Sequence, residues 1–422
     1  MIYETIAGRS REEIEKYGKE CTGYIGKHIV GTGEDAHLTT KVFLDLMKPH
    51  VILICGKRGT GKSYLEGIVI EEILSLSEKY LKKTSLVIFD PVGIYWSMKF
   101  PNEAQRNLVE KWKLKPRGFE NVKVYVPAEL YEEYKKAGIP ADYSLFISPK
   151  DFSPEDWILA FNLERTSQFA IFLERNLNYL LESKKQFSIE DIEKKIREDK
   201  QMSQSIKDAL LSYLDVAKSW GIFSKKGMNV YDIVKPGQAS VIDLSRVKGG
   251  EWGVRNLLAA WLTRNVYRER VLARKEEELA KLEGRKPKKV FPLTWLVFEE
   301  AHNFVPSDRK TVCSDAILNI AKQGREPGVS LVVITQMPNK IHQDVLSQCD
   351  LVFSLRLTSR DDLNALHRVM QTYMREDLEK YINSLPRWPG ASIILDDNLE
   401  KVFTVCFRPR LSWHAGGTAV IR

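Results

Sequence analysis

Residues 56–63 read Gly-Lys-Arg-Gly-Thr-Gly-Lys-Ser, between an apolar run, Val51-Ile52-Leu53-Ile54-Cys55, and a helix-forming stretch, YLEGIVIEEILSL. A chain with this octet in this setting is constrained to a buried strand, a tight turn and a helix in succession. Glycines at 56, 59 and 61 let consecutive backbone N–H groups converge on phosphate oxygens, and the helix adds its positive N-terminal end. Lys62 is placed to reach β- and γ-phosphates, and the Ser63 hydroxyl to ligate Mg²⁺. The whole loop (Gly56, Lys57, Arg58, Gly59, Thr60, Gly61, Lys62, Ser63) is the candidate nucleotide-binding element. A glycine-rich turn with a solvated lysine would account for the octet alone, but not for the strand and helix that flank it.

Further apolar runs follow at 85–90, 122–126, 240–244, 294–300, 330–336, 351–355, 392–395 and 402–407, most of them separated by helical patterns. That alternation predicts an α/β fold with a mainly parallel sheet covered by helices on both faces. Two stretches interrupt it. Residues 127–235 carry apolar residues at helical spacing and read as a helical insertion. Residues 254–289 begin apolar and turn charged, which predicts a helix packed on the sheet in its first half, solvated in its second, and followed by a basic loop. The expected organisation is a short N-terminal segment (1–50), a core (51–126 and 236–422) and the insertion (127–235). Within the first segment, Gly and Asp mark turns between short strands.

The run at 294–300 ends in two carboxylates, Glu299 and Glu300, followed by Ala301 and His302. If its strand neighbours the phosphate-loop strand, both carboxylates face the phosphates. Nucleotide hydrolysis needs one carboxylate to help hold hydrated Mg²⁺ and one to activate water; Glu299 suits the first role and Glu300 the second. Gln336 ends the run at 330–336, where a side chain faces the ligand crevice and can sense the γ-phosphate. Arg325, in Gly324-Arg325-Glu326-Pro327-Gly328, is either an arginine donated to a neighbouring subunit's nucleotide or an ordinary surface arginine. Asp90 supports either the metal site or the turn before Pro91. His302 lacks metal-ligating companions and reads as structural.

Composition narrows the setting. No apolar run approaches the roughly twenty residues of a membrane span, and the charged N-terminus lacks the apolar core of a signal peptide, so a cytoplasmic location is expected. Five scattered cysteines argue against zinc and disulfide frameworks. The net charge of +8 suits a polyanionic partner without specifying one.

Taken together, GKRGTGKS, FEEAHNFVP, the block from Lys322 to Asp362 and the terminal RPRLSWHAGG resemble the HerA and FtsK group of hexameric DNA-translocating ATPases, which includes conjugation ATPases; FDPVGIY is similar to the group's Asp-containing segment. The resemblance spans roughly 23–100 and 240–420. It implies a RecA-like P-loop NTPase core, ATP and Mg²⁺ as cofactors, double-stranded DNA as partner, a homo-hexamer and a nuclease partner. It also implies that Lys62 and Ser63 bind phosphate and Mg²⁺, that Glu299 supports the metal, that Glu300 is the catalytic glutamate, that Gln336 is the γ-phosphate sensor, and that Arg325 acts in trans. Arg356, Arg408 and Arg410 lie in matching segments. Four departures stand out. About fifty residues precede the phosphate loop, too few for the β-barrel that bacterial-archaeal HerA proteins carry there. Glu299 and Met337 stand where many relatives have Asp and Arg. The basic residue expected before the first core strand has only Lys48 and His50 to match it. The expected activity is an ATP-driven ring motor on duplex DNA; the rivals are a conjugation- or secretion-type ATPase moving protein or protein–DNA cargo, and a nucleotide-controlled defence-system scaffold.

Overall fold

A computed structural model describes residues 4–247, 253–355, 364–366, 381 and 385–417. Its strands are β1 (Thr5–Ala7), β2 (Thr22–Val30), β3 (His37–Asp45), β4 (Val51–Cys55), β5 (Thr84–Asp90), β6 (Val122–Pro127), β7 (Tyr143–Leu145), β8 (Ala239–Asp243), β9 (Leu293–Phe298), β10 (Val329–Thr335), β11 (Leu351–Leu355), β12 (Ala391–Asp396) and β13 (Lys401–Phe407). They form one sheet in the order β1-β3-β2-β13-β12-β11-β4-β10-β9-β5-β8-β6-β7. Pairing is parallel from β11 through β7 and antiparallel from β11 back to β3.

The central strands are apolar on both faces because both faces are covered. Ile52 and Ile54 of β4 pack with Leu65, Ile68 and Val69 of the helix Lys62–Leu74 on one side. Leu53 and Cys55 enter the opposite cluster, which is shared with the long helix Gly253–Leu282 and the helices that precede β8. Between β7 and β8 stands a layer of helices, Pro154–Ala160, Gln168–Ser183, Ile189–Glu198 and Gln204–Ser219. Trp157 anchors it, fully buried and stacked on Phe223 at 5.1 Å. A bidentate pair from Arg264 to Asp156, 2.8 Å on each arm, ties it to the long helix.

Two local expectations differ from the outcome. The glycines near the N-terminus divide: Gly31 and Gly33, with Asp35, form the expected turn between β2 and β3, whereas Gly23 and Gly26 lie inside the nine-residue β2. A Cβ on Gly26 would stand 2.4 Å from the Cys406 carbonyl oxygen, so that glycine permits close approach to β13. The charged half of the long helix is not simply solvated either. Arg270 is 1% exposed, and its guanidinium donates to the carbonyls of Pro327 (2.7 Å) and Phe291.

Candidate functional site

The phosphate loop leaves the C-terminal end of β4. Gly59 and Gly61 adopt φ of 78° and 98°, which side-chain-bearing residues rarely do, and this lets the loop curl back on itself before the helix begins at Lys62. Lys57, Arg58 and Gly59 are exposed, whereas Lys62 is buried and its Nζ donates to the Lys57 carbonyl at 3.2 Å. Burial pushes the Lys62 pKa down, against the pull of Glu299 and Glu300.

β9, which carries the paired glutamates, does not neighbour β4. β10 lies between them, with Thr335 opposite Cys55 on one side and Val333 opposite Phe298 on the other. The loop and the carboxylates still meet: Ser63 Oγ donates to Glu299 Oε1 at 2.9 Å. The intervening strand delivers Gln336, one residue past Thr335, to the same edge, where it is half-buried. Lys62, Ser63, Glu299, Glu300 and Gln336 thus converge from three adjacent strands.

Glu300 sits in the left-handed region (φ 52°, ψ 46°), uncommon for a residue with a Cβ and frequent at functional sites. Burial, reinforced by Glu299 and opposed by Lys62 and Arg58, pushes its carboxyl above the usual range. Its Oε2 is buried and accepts no hydrogen bond among the described residues, although His302 Nδ1 lies 3.4 Å away. That contact is an approach only, since His302 Nδ1 is engaged with Thr335 Oγ1 at 3.0 Å. Burial, Lys340 and Lys62 drive the His302 pKa down to about 4, so the ring is neutral and pins the end of β9 to the end of β10.

Behind these residues lies a group that sequence reasoning missed. Glu66, on the phosphate-loop helix, and Tyr95, in the turn after β5, are both buried against Glu299. Tyr95 Oη is 3.0 Å from Glu299 Oε2 and also bonds Glu66 Oε2. Burial, then the charge of Glu299, raises the Glu66 pKa well above normal. An apolar helix face interrupted by one glutamate was the available signal. Asp90 belongs to this arrangement as a turn former: its carboxylate accepts from the backbone N–H groups of Val92, Gly93, Ile94 and Tyr95 at 2.7–3.2 Å.

The arginines separate. Arg325 is exposed in the turn before β10, at the end of the sheet opposite the phosphate loop. Seven residues of β10 at about 3.3 Å each put roughly 20 Å between that turn and the site of the same chain. Arg270, through Pro327, holds the turn. Arg408 and Arg410 are each 1% exposed and clamp the C-terminal segment to the helix Lys62–Leu74, with Arg408 paired to Glu71 and Glu72. Arg356 lies outside the described residues. Among those described, no helix is long and apolar enough to cross a membrane.

The donor set fits a nucleotide with Mg²⁺. A hydroxyl and a carboxylate stand together at the loop, and a buried carboxylate oxygen beside Lys62 has no hydrogen-bond donor among the described residues. A family profile described as "Helicase HerA, central domain" matches residues 24–266, more than half of the chain. The chain belongs to the HerA family. The DNA double-strand break repair helicase HerA of Sulfolobus acidocaldarius is 25% identical over 398 residues, covering 94% of this chain and 71% of that protein. The HerA helicase of Pyrococcus furiosus is 31% identical over 148 residues, 32% of this chain but only 27% of its own length. Among solved structures, VirB4 of Thermoanaerobacter pseudethanolicus superposes with a TM-score of 0.53 at 14% identity, covering 90% of this chain and 96% of that one. The plasmid coupling protein TrwB, solved with a non-hydrolysable GTP analogue, gives 0.50 at 14% identity, covering 88% of each chain. These likenesses show that this HerA-family chain has the RecA-like P-loop ATPase fold.

Proposed function

We propose that this HerA-family chain is an ATP-hydrolysing ring motor that translocates along or unwinds double-stranded DNA. The observation that carries the hydrolytic part is the Ser63–Glu299 contact beside Glu300, whose Oε2 has no donor among the described residues. Ser63 Oγ and Glu299 Oε1 would hold Mg²⁺, and the loop N–H groups with Lys62 Nζ would hold the phosphates. The ion they hold would supply positive charge beside the phosphates and offset the negative charge that builds there during hydrolysis. Glu300 Oε2 takes the proton of the attacking water, a task suited to a carboxyl whose pKa burial raises above its ordinary value. Gln336 orients that water or the γ-phosphate from the end of β10. Arg325, out of reach of its own chain's site, completes the site of the next subunit in a homo-hexamer. The name of the relatives supports DNA as the track, and a nuclease is the partner this reading expects.

The test is ATPase rate with and without duplex DNA, on material sized by light scattering, for wild type and Glu300→Gln. Duplex DNA should raise the rate, with binding that weakens steeply in salt. Glu300→Gln should keep ATP binding and lose about 10²- to 10⁴-fold in turnover. Normal turnover in Glu300→Gln removes the assigned base; hydrolysis indifferent to DNA favours protein cargo or a scaffold.

A further inference from the structure

Glu299 differs from an aspartate at the same place by one methylene, and so by one more rotatable bond that must be stilled before its carboxylate has a single orientation. The fold supplies two restraints. Ser63 Oγ holds Oε1 at 2.9 Å, and Tyr95 Oη holds Oε2 at 3.0 Å. Tyr95 is itself 0% exposed, and its position is set from behind: Asp90 Oδ2 accepts its backbone N–H at 2.9 Å, within the four-donor turn that follows β5. The phenol also meets Glu66 Oε2, from the same helix as Ser63, and the Glu66 and Glu299 carboxyls face each other. Glu299 is thereby bracketed between the phosphate-loop helix and the turn after β5.

We propose that Tyr95 is a positioning residue for the metal site: its single hydroxyl proton, shared between Glu66 Oε2 and Glu299 Oε2, holds Oε2 back and keeps Oε1 turned toward Ser63. This rests on the reading of Glu299 as the metal-supporting carboxylate. Glu66 stands on the other side of the same hydroxyl and closes the bracket.

The experiment measures binding, so that hydrolysis does not enter. In a Glu300→Gln background, the affinity for a fluorescent ATP analogue is titrated against Mg²⁺ and again against Mn²⁺, for Tyr95→Phe, Tyr95→Phe/Glu66→Gln and Glu299→Ala. Loss of a hydrogen bond to a metal-supporting carboxylate should raise the half-saturating Mg²⁺ about tenfold in Tyr95→Phe, with affinity in EDTA unchanged. In the double variant an amide N–H beside Glu299 replaces the lost donor, and half-saturation should return to within about threefold of the parent, a recovery that a purely structural role for the ring would not produce. Unchanged metal dependence in a folded Tyr95→Phe overturns the proposal, as does failure of the double variant to recover. If Tyr95→Phe does not fold, the double variant, which no longer sets two carboxyls face to face, decides alone: near-parental half-saturation supports the proposal and a tenfold rise overturns it. Glu299→Ala separates the two layers. If it too leaves metal dependence unchanged, the assignment of Glu299 has failed; if it alone shifts the curve, only Tyr95 has.

Discussion

Arg408 distinguishes a structural clamp from a catalytic arginine. Its guanidinium is enclosed and donates to Glu71 Oε2 (2.9 Å), to Glu72 Oε1 (2.6 and 3.1 Å) and to the Tyr24 carbonyl (2.9 Å). Both glutamates sit on the helix that begins at Lys62, with side-chain exposures of 0% and 15%. Arg408→Ala takes from Glu72 the one cation paired with it among the described residues, and leaves Glu71 with only Arg410, whose Nε lies 3.6 Å from Glu71 Oε1. Glu71 keeps its bonds from Leu411 N, Ser412 N and Ser412 Oγ, and Glu72 keeps that from Tyr24 N, so the loss is of charge compensation more than of every hydrogen bond. Breaking a buried pair in this way costs about 3–5 kcal/mol, a fifth or more of the roughly 5–15 kcal/mol that holds a typical domain folded. Arg408→Lys should fall between, because one ammonium cannot fork to both glutamates. Urea unfolding followed by circular dichroism measures both. The reasoning is refuted if Arg408→Ala unfolds at the wild-type midpoint yet loses ATPase activity, since Arg408 would then act in the chemistry and not in the clamp.

Two further outcomes follow from charge placement. His50, buried, has Nδ1 2.7 Å from Asp350 and Nε2 3.1 Å from Asp45; burial lowers its pKa, but the two carboxylates win and push it up to about 9. A raised folded-state pKa contributes stability that is whole below the unfolded value near 6.5 and is lost as pH rises through 9. The shift is worth about 3 kcal/mol. The stability gap between wild type and His50→Gln should therefore narrow between pH 6.5 and 9.5 in urea titrations, and a constant gap refutes the assignment. Arg325→Ala should lower hydrolysis about 10³-fold without changing oligomer size, and mixing with Lys62→Ala subunits should restore part of it; full activity of Arg325→Ala excludes action in trans.

Much of the site could be read before the fold was known, because its chemistry is local. The octet at 56–63 needs only its own glycines and neighbouring helix to make a phosphate cradle. Glu299, Glu300 and Gln336 follow apolar runs that end where the polar residues begin. The residues that escaped are those whose roles depend on partners distant in the chain. Tyr95 and Glu66 carry no motif of their own; their meaning appears only when residues 29 and 204 positions from Tyr95 meet its hydroxyl. Arg270 sat in a charge run that reads as solvated, yet it folds inward to hold the turn of Arg325.

By itself the sequence determined an α/β chain of alternating strands and helices with a nucleotide-binding loop, since hydrophobic period and turn chemistry act over a few residues. Tertiary structure decided the strand order. It put β10 between the loop strand and the glutamate strand, turned the last strands antiparallel, and bound β2 to β13. Strand order depends on which faces bury against which helices, a long-range competition that no local window contains. The parallel run of β10 beside β4 also puts Arg325 at the opposite end of the sheet from its own phosphate loop, and the strand order lets Tyr95, Glu66 and Ser63 close around Glu299.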